Sequence, residues 1–345
     1  MEIDAGVIGL GRIGWQFHCP ALARHPEFRL VGVADAAPER CSEAQQTYGC
    51  PAFGDYRELL EVPGLSLVVV AAPTHLHHRM TLEALARGLH VYAEKPLASN
   101  ARQAAEMVRA AAEAGRVLSV YQPHRAAAET QQLLGILRSG EIGQVYQVRC
   151  GRFACGRRDD WQSLRRYGGG MLNNYGAHYL DLLLYLLGPQ VRRVFCQLRR
   201  VMSLGDAEDV VRVVLESASG AIGEVDINQA SAIAPFDLQA VGTHGAVVLE
   251  GGSFRIRSFS PSELEPKELN RSLASPGRQY PRDQIPFRER QVAVDPGLQV
   301  DVYADLARAM RTGSPPFVRP EEPLAVMRLI ERCRRSSEGV VASPA

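Results

Sequence analysis

Short apolar runs alternate with amphipathic stretches along the first third of the chain. The runs predict strands at 3–8, 28–34, 66–72, 89–93 and 117–121. Apolar residues spaced three and four apart predict helices at 12–24, 38–48, 75–87 and 100–114, with a shorter one at 55–60. This alternation implies a parallel sheet with helices on both faces. Ligands of such sheets bind beyond the carboxyl ends of the strands. The residues just after each strand therefore matter most: 9–13, Asp35, Ala72-Pro73-Thr74, Glu94-Lys95-Pro96 and Tyr121-Gln122.

Past Gln122 the rhythm changes. A helix at 126–139 leads through Gly140 and Gly143 into a strand, an arginine-rich irregular stretch and a strongly apolar helix at 173–187. Strand patterns then follow one another at 191–202, 208–216, 221–229, 236–242 and 246–250, with a hairpin turn at Ser219-Gly220. No helix interrupts them, so a mostly antiparallel open sheet is expected, with one face free. That free face suggests a homodimer or homotetramer formed through the sheet. Residues 258–290, rich in Pro, Ser and charge, predict a long loop serving as lid, interface arm or mobile segment. Helices at 298–311 and 321–337 close the chain and are free to pack back on the first part. The expected division is 1–122 and 123–345.

Composition narrows the function. Of 345 residues, 39 are Lys or Arg and 38 are Asp or Glu, so no bulk field invites nucleic acid or an anionic membrane. The 7 cysteines are scattered without a Cys-x-x-Cys pair, which argues against a zinc or disulfide framework. No apolar run is long enough to span a bilayer, and the N-terminus reads directly into a strand. The expectation is a soluble cytoplasmic protein.

The first strand breaks into Gly9-Leu-Gly11-Arg12-Ile13-Gly14, and a helical pattern follows. Gly9 suits the tight turn, Gly11 the close approach of a pyrophosphate, and Gly14 the packing of helix on strand. The helix N-terminus offers free N–H groups to an anion. Asp35 ends the second strand, about 24 residues past Gly11, where a carboxylate accepts from ribose hydroxyls. It would repel a 2′-phosphate, which favours NAD over NADP; Arg12 pulls the other way, and Arg40 reads as a solvated helix residue.

Four further segments complete a pattern: Val69-Val-Ala-Ala-Pro-Thr-His-Leu-His77, Gly88-Leu-His-Val-Tyr-Ala-Glu-Lys-Pro-Leu97, Ser139-Gly-Glu-Ile-Gly143 and Gly168-Gly-Gly-Met-Leu-Asn-Asn-Tyr-Gly-Ala-His-Tyr-Leu-Asp181. With the glycine turn they resemble the Gfo/Idh/MocA oxidoreductases over nearly the whole chain. The resemblance implies an α/β protein with an N-terminal Rossmann domain and a C-terminal α+β domain. It also implies NAD(P)-dependent redox chemistry on sugars, cyclitols or their derivatives. The matching lysine, Lys95, would contact the reacting hydroxyl near the nicotinamide, and the matching histidine, His178, would be the base. His77 would lie near the cofactor, together with Ala72, Pro73, Thr74, Glu94, Pro96 and Gln122.

The residues agree with those roles. Pro96 restricts Lys95 to extended geometry, and an ammonium there can stabilise a developing alkoxide. Asn174, His178 and Asp181 form the one polar stripe of the apolar helix at 173–187. Buried polar groups need partners, and a histidine can serve as base near neutrality. Asp181 is expected to be structural, bonding backbone or orienting His178. Many members carry aspartate where this chain has Asn174, so Asn174 is expected to orient His178 or bind substrate without taking a proton. Tyr175 completes the expected substrate set, with Tyr167 and Tyr175 as reserve bases. His75, His77 and His78 lack a neighbouring carboxylate or cysteine, so no metal is expected. Arg157, Arg158, Arg165 and Arg166 precede Gly168, where guanidinium groups can hold an anionic substrate. Of these Arg165 is a substrate candidate, as are His124 and Arg125. Two alternatives to a dehydrogenase of a small polyol or sugar remain: a redox-neutral NAD-dependent glycosidase or lyase, and a non-catalytic NAD or sugar sensor.

Overall fold

The computed structural model describes residues 2–271, 273, 278, 280 and 282–338. The first sheet holds β1 (Ile3–Ile8), β2 (Phe28–Ala34), β3 (Ala52–Phe53), β4 (Leu67–Val70), β5 (His90–Ala93) and β6 (Leu118–Val120). Its order is β3-β2-β1-β4-β5-β6 and every pairing is parallel. All four residues of β4 are buried, as expected of a strand covered on both faces. A π-helical turn, Gly14–His18, leads into α1 (Cys19–Arg24); α2 (Pro38–Tyr48), α3 (Tyr56–Leu60), α4 (Thr74–Ala86) and α5 (Ala101–Ala114) follow. The Asn100 side chain caps α5 by accepting from Gln103 N at 2.9 Å. The two-residue β3 carries no periodic signal, and sequence reading passed over it.

The predicted helix at 126–139 is two helices, α6 (Pro123–Ala126) and α7 (Ala128–Arg138), because Ala127 between them is extended at φ −60°, ψ 142°. β7 (Val145–Phe153) opens the second sheet. The predicted helix at 173–187 begins as a π-helical turn, Leu172–Gly176, and continues as α8 (Ala177–Leu187). Then come β8 (Val191–Arg199), β9 (Val210–Ser217), β10 (Ile222–Asn228), β11 (Leu238–Gly242), β12 (Gly245–Glu250), β13 (Ser253–Ser258) and β14 (Arg288–Ala293), followed by α9 (Val302–Thr312) and α10 (Glu321–Glu338). The order is β14-β13-β12-β11-β7-β10-β9-β8. Every pair is antiparallel except β10 with β7.

The predicted loop at 258–290 is bounded by β13 and β14, which were not foreseen. β14 is a charged edge strand and β13 lies between it and β12, and the arginines of Arg255-Ile-Arg257 and Arg288-Glu-Arg290 hide the alternation that buries Phe254 and Ile256. Residues 272, 274–277, 279 and 281 of that segment lie outside the described residues. The inner face of the sheet packs on α8 and α10. The outer face carries ion pairs such as Arg212–Asp226 at 2.9 Å and Arg149–Glu224 at 3.4 Å. Tyr303, Leu306 and Ala307 of α9 join the core under the first sheet, beside Val7, Leu22 and Leu67. Among the described residues no helix is long and apolar enough to cross a membrane.

Candidate active site

The carboxyl ends of the first sheet and the N-terminal end of α8 enclose a cleft of about 790 Å³. At one end is the glycine turn. Gly9 has φ +96°, and a Cβ there would stand 2.7 Å from the Ala71 carbonyl oxygen; a Cβ on Gly14 would stand 1.9 Å from Gly9 O. Both positions are closed to any side chain. A Cβ on Gly11 would meet nothing within 4 Å, because that position opens on the cleft where a pyrophosphate can approach the backbone.

Asp35 lines the same end. Its Oδ2 accepts from Leu10 N at 2.7 Å and its Oδ1 from Ala37 N at 2.9 Å, which fixes the carboxylate with unused lone pairs. Arg40 is an exposed residue of α2, as the sequence suggested, but it is not without a partner. It lines the cleft, and its Nη1 stands 3.4 Å from Asp35 Oδ2.

At the other end Lys95 follows β5. Its Nζ donates to the Asn174 carbonyl oxygen at 3.1 Å and to Asn174 Oδ1 at 3.0 Å. Asn174 therefore orients Lys95 rather than His178, because its side chain projects from the π-helical turn toward β5; such turns recur at functional sites. Its Nδ2 donates onward to Gln162 Oε1 at 3.4 Å. Burial, with a smaller contribution from the Arg158 charge, lowers the Lys95 pKa from 10.5 to about 8, against the opposing pull of Glu94.

His178 is buried, with Nδ1 3.2 Å from Gln122 Oε1. With that oxygen as acceptor, Nδ1 holds the proton and Nε2 keeps its lone pair. Burial, and then the charges of Lys95 and His124, push the His178 pKa well below its ordinary value. The imidazole is therefore neutral at pH 7, as a base must be.

Glu94 lines the cleft between the two ends. Its Oε1 accepts from His18 Nε2 at 3.0 Å and its Oε2 from Lys95 N at 3.2 Å. The irregular segment before Gly168 closes over the slot. Asp160 pairs with Arg158 at 2.7 and 3.0 Å and with Arg12 of the glycine turn at 3.6 Å, while Arg158 also donates to Gln162.

Of the residues singled out from sequence, Gly9, Gly11, Arg12, Ile13, Asp35, Ala72, Pro73, Thr74, Glu94, Lys95, Pro96, Asn174, Tyr175 and His178 line this cleft. Gln122 stands behind it, holding His178. His77 is also behind it, its Nδ1 3.0 Å from Pro96 O and its Nε2 2.7 Å from Ala72 O. It ties two loops of the slot together. His78 turns instead to Glu106 at 2.8 Å and His75 to the Tyr167 ring at 5.5 Å, so the three histidines diverge.

Arg125 does not face the cleft. It is buried, bonded by Asp181 at 2.9 and 2.5 Å, 2.9 Å from Glu322, and stacked over Tyr185. That pairing, and no bond to His178, is the role of Asp181. Arg165 is exposed outside the cleft, and Arg158 is the member of that arginine run that lines it. Sequence reading missed Asp160, Trp161 and Gln162, which sit in an irregular stretch without periodicity.

Two family models match the chain. Residues 3–122 match the "Oxidoreductase family, NAD-binding Rossmann fold" of the GFO_IDH_MocA group, and residues 130–248 match the "GFO/IDH/MocA C-terminal domain". D-glucoside 3-dehydrogenase of Escherichia coli is 30% identical over 232 residues, covering 65% of this chain and 62% of that protein. Myo-inositol 2-dehydrogenase of Thermotoga maritima is 28% identical over 251 residues, covering 70% and 73%. Among solved structures, an NAD-binding protein from Listeria innocua shares the fold at a TM-score of 0.85 and 21% identity, with 99% of each chain covered.

Proposed function

The chain belongs to the Gfo/Idh/MocA oxidoreductase family, and on that premise we propose that it transfers a hydride between a nicotinamide dinucleotide, NAD in preference to NADP, and a secondary hydroxyl of a sugar, cyclitol or related polyol. One observation carries this reading. Lys95, held by Asn174, and His178, held by Gln122, line the same cleft as the glycine turn and Asp35. The dehydrogenase names of two relatives support the substrate class.

The residues present fit the dinucleotide. Gly11 leaves the approach open, and Asp35 is braced to accept from a ribose diol. The bound nicotinamide would supply the hydride acceptor. His178 Nε2 removes the hydroxyl proton of the substrate. The Lys95 ammonium, fixed by two acceptors from Asn174, donates to the oxygen as it gains charge, and is worth most where the surroundings exclude water. Asn174 takes no proton; it sets the direction of Nζ.

Net reduction of the cofactor distinguishes this reading from a redox-neutral lyase and from a sensor. The test is a screen of polyols, aldoses, uronates and sugar nucleotides with NAD, read as NADH absorbance. Formation of NADH with at least one secondary alcohol is expected, and its loss in Lys95→Ala. Product formed with no net NADH would sink the reading.

A further inference from the structure

The segment that follows β6 holds His178 from two sides. Gln122 takes its Nδ1, and two residues on, the His124 ring lies flat against the His178 ring, with centroids 4.3 Å apart and planes 7° from parallel. Tyr179 braces His124 edge-on at 5.4 Å. Both imidazoles line the cleft. The His124 ring nitrogens make no hydrogen bond among the described residues. A ring packed on two sides, with its polar edge left unused at the substrate end of a cleft, is built to meet a ligand.

The chemistry of that edge is specific. Burial and the charges of Lys95 and Arg152 lower the His124 pKa to about 4, so the ring is neutral at pH 7. A neutral imidazole offers one donor and one acceptor, which suits a hydroxyl better than an anion. Parallel stacking at 4.3 Å sets the two imidazoles side by side on the wall of the cleft, near enough for one small ligand to touch both.

We propose that His124 and His178 read a vicinal diol, His178 at the hydroxyl to be oxidised and His124 hydrogen-bonded to the hydroxyl on the adjacent carbon. His124 is thus a specificity-determining residue, and an isolated secondary alcohol is a poor ligand. This rests on the redox reading above for the identity of the oxidised carbon, but the pairing can be tested without turnover.

The probes are cis-1,2-cyclohexanediol and cyclohexanol, presented to the protein saturated with NAD. Binding is followed by ligand-observed NMR, and NADH formation is followed in parallel. The parent should favour the diol roughly tenfold, about the worth of one neutral hydrogen bond in a site built for it. His124→Phe keeps a flat ring against His178 and removes the nitrogens; it should bring the preference to within about threefold. His124→Asn, which restores a hydrogen-bonding group without the ring, should recover part of it. A purely structural role for His124 would weaken both probes together and leave their ratio unchanged. That result, or equal binding of the two probes by the parent, overturns the inference. Absence of NADH from every polyol would instead count against the redox reading, while a diol preference in binding would still stand.

Discussion

The phenol oxygen of Tyr303 stands 2.6 Å from His18 Nδ1, linking the helix near the C-terminus to the turn that follows the glycine loop. The far nitrogen of the same ring meets Glu94, whose other oxygen holds the backbone N–H of Lys95. A helix more than two hundred residues downstream thus braces the residue beside the lysine. Burial pushes the Tyr303 phenol well above its ordinary pKa, so it stays neutral across the working range. Tyr303→Phe removes one buried hydrogen bond and should cost about 1–2 kcal/mol of stability. Urea unfolding checks this, and an unchanged midpoint would show that the bond contributes nothing.

Lys95 is held against its own stability. With its pKa at about 8 in the folded chain and 10.5 as the ordinary value, the unfolded chain binds the extra proton between those limits. Stability therefore rises with pH from about 8 to 10.5, and below about 8 the charged form carries a constant penalty. Lys95→Met should abolish turnover yet raise stability by about 1–2 kcal/mol at pH 7. The gain should fade as the pH approaches 10.5. Thermal unfolding at pH 7 and pH 10.5 reads both effects; a variant less stable than the parent at pH 7 would contradict them.

The pH dependence of turnover follows from the same pair. His178 titrates well below its ordinary value, so kcat/KM for oxidation should be flat from pH 7 down to about 6. It should fall above about 8 as Lys95 loses its proton. Asn174→Asp sets a carboxylate where Oδ1 now lies, 3.0 Å from Nζ. An adjacent opposite charge favours the ammonium, so the alkaline limb should move to higher pH. If the limb stays in place, Lys95 is not the group that titrates there.

The fate of each sequence assignment depended on how local its cause was. The glycine turn and Asp35 follow from chemistry within one strand–turn–helix unit, so their spacing alone located them. Lys95 and His178 were singled out by a recognisable motif, and the fold brings both to the one cleft. Arg125 was misplaced because its neighbour His124 opens on the cleft while Arg125 turns inward to Asp181, and no periodicity in so short a helix says which way each points. The bond of Asn174 to Lys95, in place of one to His178, was out of reach because it crosses 79 positions of sequence. Asp160 and Gln162 carry no pattern at all; what fixes them is a meeting with Arg12 and Asn174 that only the folded chain creates.

The proposed preference for NAD rests on a braced carboxylate with an arginine beside it. Asp35→Ser removes the repulsion toward a 2′-phosphate and leaves Arg40 without its partner at 3.4 Å. Parent protein should bind NAD more tightly than NADP, and the variant should narrow that difference by roughly tenfold, since loss of one charge repulsion at a half-buried site is worth about 1.4 kcal/mol. Fluorescence titration with both dinucleotides measures it. Tighter binding of NADP by the parent would move the decision to Arg12 and Arg40.

β7 is the first strand of its sheet to be made, yet it lies in the interior, between β10 and β11. Both neighbours are synthesised late: β10 begins at Ile222 and β11 at Leu238, about eighty and ninety residues after Val145. At ribosomal speeds of roughly 5–20 residues per second, this strand waits several seconds or more with both edges unpaired. The six strands of the Rossmann sheet can pair as they emerge, lacking only α9 of their core, but the half that carries His178 cannot begin to assemble its sheet around β7 until most of the chain has left the ribosome. The nascent protein thus passes through a stage in which a paired Rossmann sheet trails a strand with both edges open and one apolar face uncovered. Low temperature during expression, or a chaperone that holds the open strand, acts on that stage and should raise the yield of active protein.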